Sequence, residues 1–202
     1  SEPIIFDVGA HIGTISRRYR ETFPAATIHA FEPDPVSFAE LARWATVDGK
    51  MFVHRLALSN AHKRMVLNRN TLSATNSLLR TDPRGAGYWG ETVRTEGCIE
   101  VEATTVDAFC ARQEIDHVDV LKLDVQGAEL LALHGAQGLL DRGAVRLIYL
   151  ELILVPTYVG QFKAHEWLAY LDGMGYELLN FFNPMMRGPR LLQVDAIFVN
   201  SN

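Results

Sequence analysis

The sequence predicts an α/β fold, a doubly wound Rossmann-like sheet. Three observations carry this. Short apolar runs alternate with helical segments from the first residues onward. The first run stops at a glycine turn and passes straight into a helix. The last two apolar runs are joined by a stretch too short for a helical crossover, so they must pair antiparallel. The 202 residues are expected to form a single domain, 1–202. With 48% apolar and 21% charged residues, such a chain can bury a core without disulfide or metal staples.

In order, residues 3–8 read as a buried parallel strand and 13–20 as a helix. Residues 27–32 form the second strand. Pro35 then opens a helix in which Val36, Ala39, Leu41, Ala42 and Ala45 recur at helical spacing. Residues 51–58 read as the third strand. From about 60 to 101 the alternation breaks. Two short strands, at 65–67 and 99–101, flank a loop rich in Thr, Ser, Asn, Gly and Arg, and this β/loop insertion is expected to cover the site. Beyond it come a helix starting at Thr105, a strand at 117–124, a helix at 127–140, a strand at 145–151 and a helix at 164–174. Strands at 176–181 and 194–199 close the chain.

The net charge of −5 lacks the basic footprint of a nucleic-acid binder, so no nucleic-acid partner is expected. No apolar run reaches the ~18 residues of a membrane span, so no membrane partner is expected either. Cys98 and Cys110 lie in no C-x-x-C pair and read as free thiols in a reducing compartment. With no signal peptide ahead of the first strand, the expected location is cytoplasmic. The seven histidines show no metal-ligand spacing, and no metal site is expected.

The turn Asp7-Val8-Gly9-Ala10-His11-Ile12-Gly13 is the default nucleotide site of an open α/β sheet, at a strand's carboxyl end and a helix N-terminus. A dinucleotide site would read G-x-G-x-x-G. Here His11 takes the middle position and an acid precedes the first glycine. An anion there repels a pyrophosphate but favours the ammonium and sulfonium of S-adenosylmethionine. Glu32 ends the second strand about 20 residues on, at the spacing that lets a carboxylate accept from two ribose hydroxyls. An NAD-dependent Rossmann oxidoreductase is the rival reading, and the missing glycine fingerprint and Asp7 weigh against it. A non-catalytic nucleotide-binding module of the same fold is a second rival.

A third motif, Leu121-Lys122-Leu123-Asp124-Val125-Gln126-Gly127-Ala128-Glu129, completes a resemblance. With the glycine turn, Ala30 to Pro35, Leu56-Ala57-Leu58-Ser59, Thr104 to Asp107 and Asp195-Ala196-Ile197-Phe198-Val199, it resembles the FkbM family of class I, S-adenosylmethionine-dependent methyltransferases. The resemblance implies a seven-stranded sheet of order 3-2-1-4-5-7-6 with strand 7 antiparallel. It implies S-adenosyl-L-methionine as cofactor, S-adenosyl-L-homocysteine as product, and methylation of a hydroxyl on a small-molecule or sugar acceptor. It places Asp7, Gly9 and Gly13 around the methionine portion and Glu32 on the ribose, with Ala10, His11, Asp124 and Gln126 also among the cofactor-binding residues. Pro33, Ala57, Leu58 and Ser59 would flank the adenine, and Asn76 and Ser77 would lie near the cofactor. Asn is usual in the family at the position of His11, and Glu is frequent at that of Gln126. Whether the chain self-associates stays open.

A hydroxyl acceptor loses a proton during attack. Asp124, at the tip of the fourth core strand, is the first candidate to orient the acceptor or act as base, or else it binds the cofactor's amino group. Glu151, at the tip of the fifth, is the second, unless it only binds a backbone N–H. His165, on the following helix, is the third, unless it is an ordinary surface residue. Tyr88, Trp89, Tyr158 and Phe162 either pack against an acceptor or anchor loops to the core.

Overall fold

The structure, a computed structural model, describes residues 2–46 and 48–201. Ser1, Val47 and Asn202 of the expected 1–202 unit lie outside the described residues. The order begins β1 (Ile4–Val8), α1 (Thr14–Thr22), β2 (Thr27–Phe31), α2 (Pro35–Ala45) and β3 (Met51–His54). The insertion holds β4 (Ala57–Leu58), β5 (Lys63–Asn70), the short α3 (Ala86–Trp89) and β6 (Thr95–Thr104). Then come α4 (Val106–Gln113), β7 (Val118–Leu123), α5 (Glu129–His134), α6 (Gln137–Asp141), β8 (Val145–Ile153), α7 (Ala164–Gly173), β9 (Tyr176–Arg187) and β10 (Arg190–Asn200).

Among the described residues the strands form a seven-stranded sheet, β3-β2-β1-β7-β8-β10-β9, and a three-stranded sheet, β4-β6-β5. β10 runs antiparallel to both neighbours, while the remaining pairs of the large sheet are parallel. This is the strand order implied by the resemblance. One face of the sheet packs Phe6, Leu121, Ile148, Leu150 and Ala196 against Phe109 of α4, Leu133 of α5, Leu139 of α6 and Trp167 and Leu171 of α7. On the other face Ile5, Ile28 and Ala30 meet Leu41 of α2. Each fully buried aliphatic side chain here contributes about 2 kcal/mol.

Local chemistry sets several boundaries. Asp34 starts α2 by accepting from the N–H groups of Val36 (2.9 Å) and Ser37 (3.2 Å), with Pro35 in the first helical position. Thr105 does the same for α4 through the N–H of Ala108. Gly9 and Ala10 both donate to the Phe31 carbonyl, which fixes the turn leaving β1 beside the end of β2.

Several elements differ from their sequence expectation, among them the insertion strands expected at 65–67 and 99–101, which run longer as β5 and β6. The strand predicted at 51–58 is two strands, and the second, β4, leaves the main sheet to pair with β6. The helix predicted at 127–140 starts later, because Gln126 and Gly127 adopt left-handed φ angles of 57° and 88°. It also breaks at Gly135, where a side chain would run into the Ser59 carbonyl. The closing hairpin is antiparallel as expected, but its strands reach inward to leave only Gly188 and Pro189 as the turn.

Candidate active site

The tips of β1, β2, β7 and β8 and the insertion enclose a cavity of about 270 Å³. Its wall includes Gly9, Ala10, His11, Glu32, Pro33, Ala57, Leu58, Asn76, Asp124, Gln126 and Glu151. The expected residues Asp7, Gly13, Ser59, Ser77 and His165 are not part of that wall.

Asp7 departs most from expectation. Instead of facing a cationic ligand, it is fully buried. Ser16 Oγ donates to its Oδ2 at 2.5 Å, and Lys122 Nζ stands 2.8 Å from its Oδ1. Lys122 lies beside Asp7 because the two are register partners across β1 and β7. Its ammonium also donates to the Gly9 carbonyl (3.2 Å) and lies 3.5 Å from Asp124 Oδ2. Burial alone would lower the lysine pKa, but the Asp7 and Asp124 carboxylates outweigh it and hold the ammonium above its ordinary value. Lys122 therefore consumes the charge of Asp7 and itself reaches the cavity wall. Its signal in the sequence was a lone lysine inside the apolar run Val120 to Leu123.

Gly9 is likewise a backbone matter. A Cβ there would collide with the Asp124 carbonyl, and its φ is +77°. The glycine lets the β1 tip lie directly on the β7 tip, so the close approach at this position is by the chain itself.

Glu32 is buried at the end of β2. Its Oε2 accepts from the His11 N–H (2.9 Å) and its Oε1 from the Asp34 N–H (2.8 Å). Burial lifts its carboxyl to about 7, against the pull of those two N–H groups. His11 has a left-handed φ of 50°, and its Nε2 lies 2.9 Å from Ser73 Oγ at the start of the insertion's cover. Burial lowers its pKa, opposed by Glu40, Asp124 and Asp34.

Phe31, Pro33, Leu56, Ala57, Leu58, Leu67 and Leu78 make one end of the cavity apolar. Asn76 joins this wall. Its Oδ1 accepts from the Asn70 N–H (2.8 Å), while its Nδ2 is buried with no hydrogen-bond partner. Ser77 acts from behind, donating to the Gln126 carbonyl at 2.7 Å.

At the other end Gln126 clamps two carboxylates. Its Nε2 donates to Asp124 Oδ1 (3.0 Å) and Glu151 Oε2 (2.6 Å), and Tyr158 Oη lies 3.0 Å from its Oε1. Gln193 Nε2 donates to the second oxygen of Glu151 at 2.5 Å. Glu129 fixes the turn, its Oε1 accepting from the N–H groups of Val125 (3.0 Å) and Gly127 (3.1 Å). Burial raises the Glu151 pKa well above the usual carboxylate value, and Asp124, Glu129 and Asp195 add to it.

His165 does not join Asp124 and Glu151. Trp167 and Leu171 form the buried face of α7, and helical phase leaves His165 exposed to solvent. The loop aromatics act mainly as anchors. Trp89 Nε1 donates to Thr157 Oγ1 at 2.6 Å, Tyr158 is buried, and Phe162 stacks edge-on against Trp167. Among the described residues no group of three His, Cys, Asp or Glu is placed to hold a metal ion. No helix of the described residues is long and apolar enough to cross a membrane.

Residues 7–178 match the methyltransferase FkbM domain. The chain belongs to the FkbM methyltransferase family. It is 27% identical to 2-O-methyltransferase NoeI of Sinorhizobium fredii, over 99% of this chain and 80% of that protein. It is 28% identical to 31-O-demethyl-FK506 methyltransferase FkbM of Streptomyces tacrolimicus, over 96% and 80%. Its fold is similar to that of magnesium protoporphyrin IX methyltransferase from Synechocystis PCC 6803, solved with bound S-adenosylmethionine, at a TM-score of 0.55 and 12% identity over 99% of this chain and 71% of that one. The METTL16 methyltransferase domain also has a TM-score of 0.55, at 10% identity over 100% and 61%. This FkbM-type protein is an S-adenosylmethionine-dependent methyltransferase, and the Rossmann oxidoreductase reading is not favoured. The cavity fits the cofactor. Its apolar end suits an adenine, Glu32 offers a carboxylate for a ribose, and the unpartnered Asn76 amide is a donor awaiting an acceptor.

Proposed function

We propose that the chain, working as one catalytic domain, methylates a hydroxyl of a small molecule or sugar. One observation carries this reading: a single cavity joins the Glu32 end to the partly buried carboxylate of Glu151, so a hydroxyl brought to the methyl donor has a proton acceptor beside it. The names of the two relatives, a 2-O-methyltransferase and a 31-O-demethyl-FK506 methyltransferase, support oxygen as the acceptor atom. The net charge of −5 supports a small acceptor over a nucleic acid.

S-adenosylmethionine, when bound, supplies the methyl group already activated on a sulfonium. The chain's part is to position and to take the proton. Glu32 accepts the ribose hydroxyls and Asn76 Nδ2 donates to the cofactor at the apolar end. Lys122 ties the β1 tip to Asp124, which orients the reacting groups. Glu151 accepts the hydroxyl proton as the acceptor oxygen attacks. Its raised pKa suits a base working near neutral pH. The insertion, pinned by Trp89 and Tyr158, keeps water out.

The test is label transfer from methyl-labelled S-adenosylmethionine to a panel of hydroxylated, amino and thiol acceptors. Transfer to hydroxyls is expected, and its loss in Glu151→Gln. Labelling of amines alone would remove the hydroxyl assignment.

A further inference from the structure

Asp195 opens the motif Asp195-Ala196-Ile197-Phe198-Val199, yet nothing in the mechanism above uses it. It is the register partner of Glu151 across β8 and β10. Residues directly opposed in an antiparallel pair project from the same face about 5 Å apart. Val194, Ala196 and Phe198 of β10 are buried on the helix-covered face, so Gln193 and Asp195 emerge on the other. That face is half open: Tyr149, Glu151, Gln193 and Asp195 are each only partly buried.

Asp195 is held in place. Tyr149 Oη donates to its Oδ2 at 2.5 Å and Asn183 Nδ2 donates to the same oxygen at 2.7 Å. Its Oδ1 takes no hydrogen bond among the described residues. The Asn183 contact depends on a distortion of β9. Between the pairs Gln193–Met185 and Asp195–Phe182, β10 advances two residues and β9 three. The extra residue is a β-bulge, and within it Asn183 adopts a left-handed φ of 48°. Bulges re-aim side chains beside functional sites, and a non-glycine residue in this conformation is kept only where its surroundings enforce it. Gln193, two residues from Asp195, donates to Glu151 and so links this polar strip to a residue of the cavity wall.

We propose that Asp195, oriented by Tyr149 and Asn183, is an acceptor-recognition residue that binds a second hydroxyl adjacent to the one methylated. The acceptor is then a vicinal diol of the kind that sugars carry. Two carboxylates on one sheet face, one strand apart, receive two neighbouring O–H groups. Glu151 takes its proton outright, and Asp195 only accepts a hydrogen bond. The inference rests on the methyl-transfer reading.

The test uses the full chain saturated with S-adenosylhomocysteine. Methyl pyranosides of varied hydroxyl configuration, with cyclohexanol as the one-hydroxyl control, are titrated by saturation-transfer NMR. At least one pyranoside is expected to bind more tightly than cyclohexanol. Asp195→Asn should weaken that pyranoside about tenfold or more and leave cyclohexanol unchanged. Asn183→Ala, on the exposed edge, should weaken it less. S-adenosylhomocysteine affinity, measured by calorimetry, should be unchanged in both variants and so reports that they fold. Pyranoside binding that persists in Asp195→Asn overturns the proposal, as does a wild-type complex that binds none of the panel. Failure of the wild type to bind S-adenosylhomocysteine would instead overturn the methyl-transfer reading itself.

Discussion

The ammonium of Lys122 lies 2.8 Å from Asp7 Oδ1, and both side chains are shut away from solvent. A buried pair of this kind is costly to break from one side, because the remaining charge has no partner. Lys122→Met should destabilise the protein by about 3–5 kcal/mol. Asp7→Leu combined with Lys122→Met should recover much of that stability without recovering cofactor affinity. Urea unfolding of the two single variants and the double variant checks the coupling. Additive losses would show that the two residues do not act as a pair.

Glu151 gives a kinetic prediction. As the base it must be ionised, and burial with three neighbouring carboxylates raises its pKa. The methyl-transfer rate should therefore climb with pH through that raised value and level off above it. Glu151→Gln should lower the rate about 10²- to 10⁴-fold, abolish the climb and spare S-adenosylhomocysteine affinity. Single-turnover rates across the pH range decide it.

Glu32 gives a binding prediction. Its folded pKa of about 7 exceeds the ordinary 4.5. Between those values the folded chain holds a proton that the unfolded chain has lost. Its contribution to stability is thus most favourable below pH 4.5, declines as pH rises through 7, and is constant beyond. Ribose hydroxyls donate best to the ionised form, so cofactor affinity should rise with pH through about 7. Calorimetry near pH 7 in buffers of different ionisation enthalpy should detect proton release on binding. Glu32→Gln should bind weakly at every pH and release none.

Glu129 holds the turn rather than the substrate. Glu129→Ala strands the N–H groups of Val125 and Gly127 and should cost about 3 kcal/mol. Glu129→Gln keeps an acceptor oxygen and should cost under about 1 kcal/mol. Thermal melts of the two variants separate these outcomes, and equal losses would show that charge matters there.

The strand–helix alternation and the closing hairpin were legible because they rest on local patterns: apolar runs of strand and helix period, and a connection too short for a helix. The strand order came only with the family resemblance. Glu32 was legible because its distance from the glycine turn is set by one βαβ unit. Lys122 was not. Its partner is 115 residues earlier, and only the register between β1 and β7 brings the two together. Asp7 was singled out for its place ahead of the glycines, and its pairing with Lys122 was hidden for the same reason. His165 was misjudged by helix phase: the sequence placed it after a strand-tip acid, but Trp167 and Leu171 turn it outward. Asp195 stood in the sequence only as the first residue of a matching segment, and the face it emerges on came with the burial of Val194, Ala196 and Phe198. What stands across from it on β8 needed the fold.

The stretch from Thr75 to Ser77 touches both ends of the cavity. The Asn76 amide stands at the cofactor wall, Ser77 holds the backbone of the residue that clamps Asp124 and Glu151, and the Thr75 carbonyl lies 2.9 Å from Tyr158 Oη. Under the proposed reading, donor capture and proton removal share one stretch of sequence, so a substitution there is expected to disturb both. The edge strand β9 contributes no residue to that wall. Under the proposed reading, substitutions along β9, acting through Asn183 on Asp195, are expected to alter acceptor choice without touching the residues that hold the methyl donor.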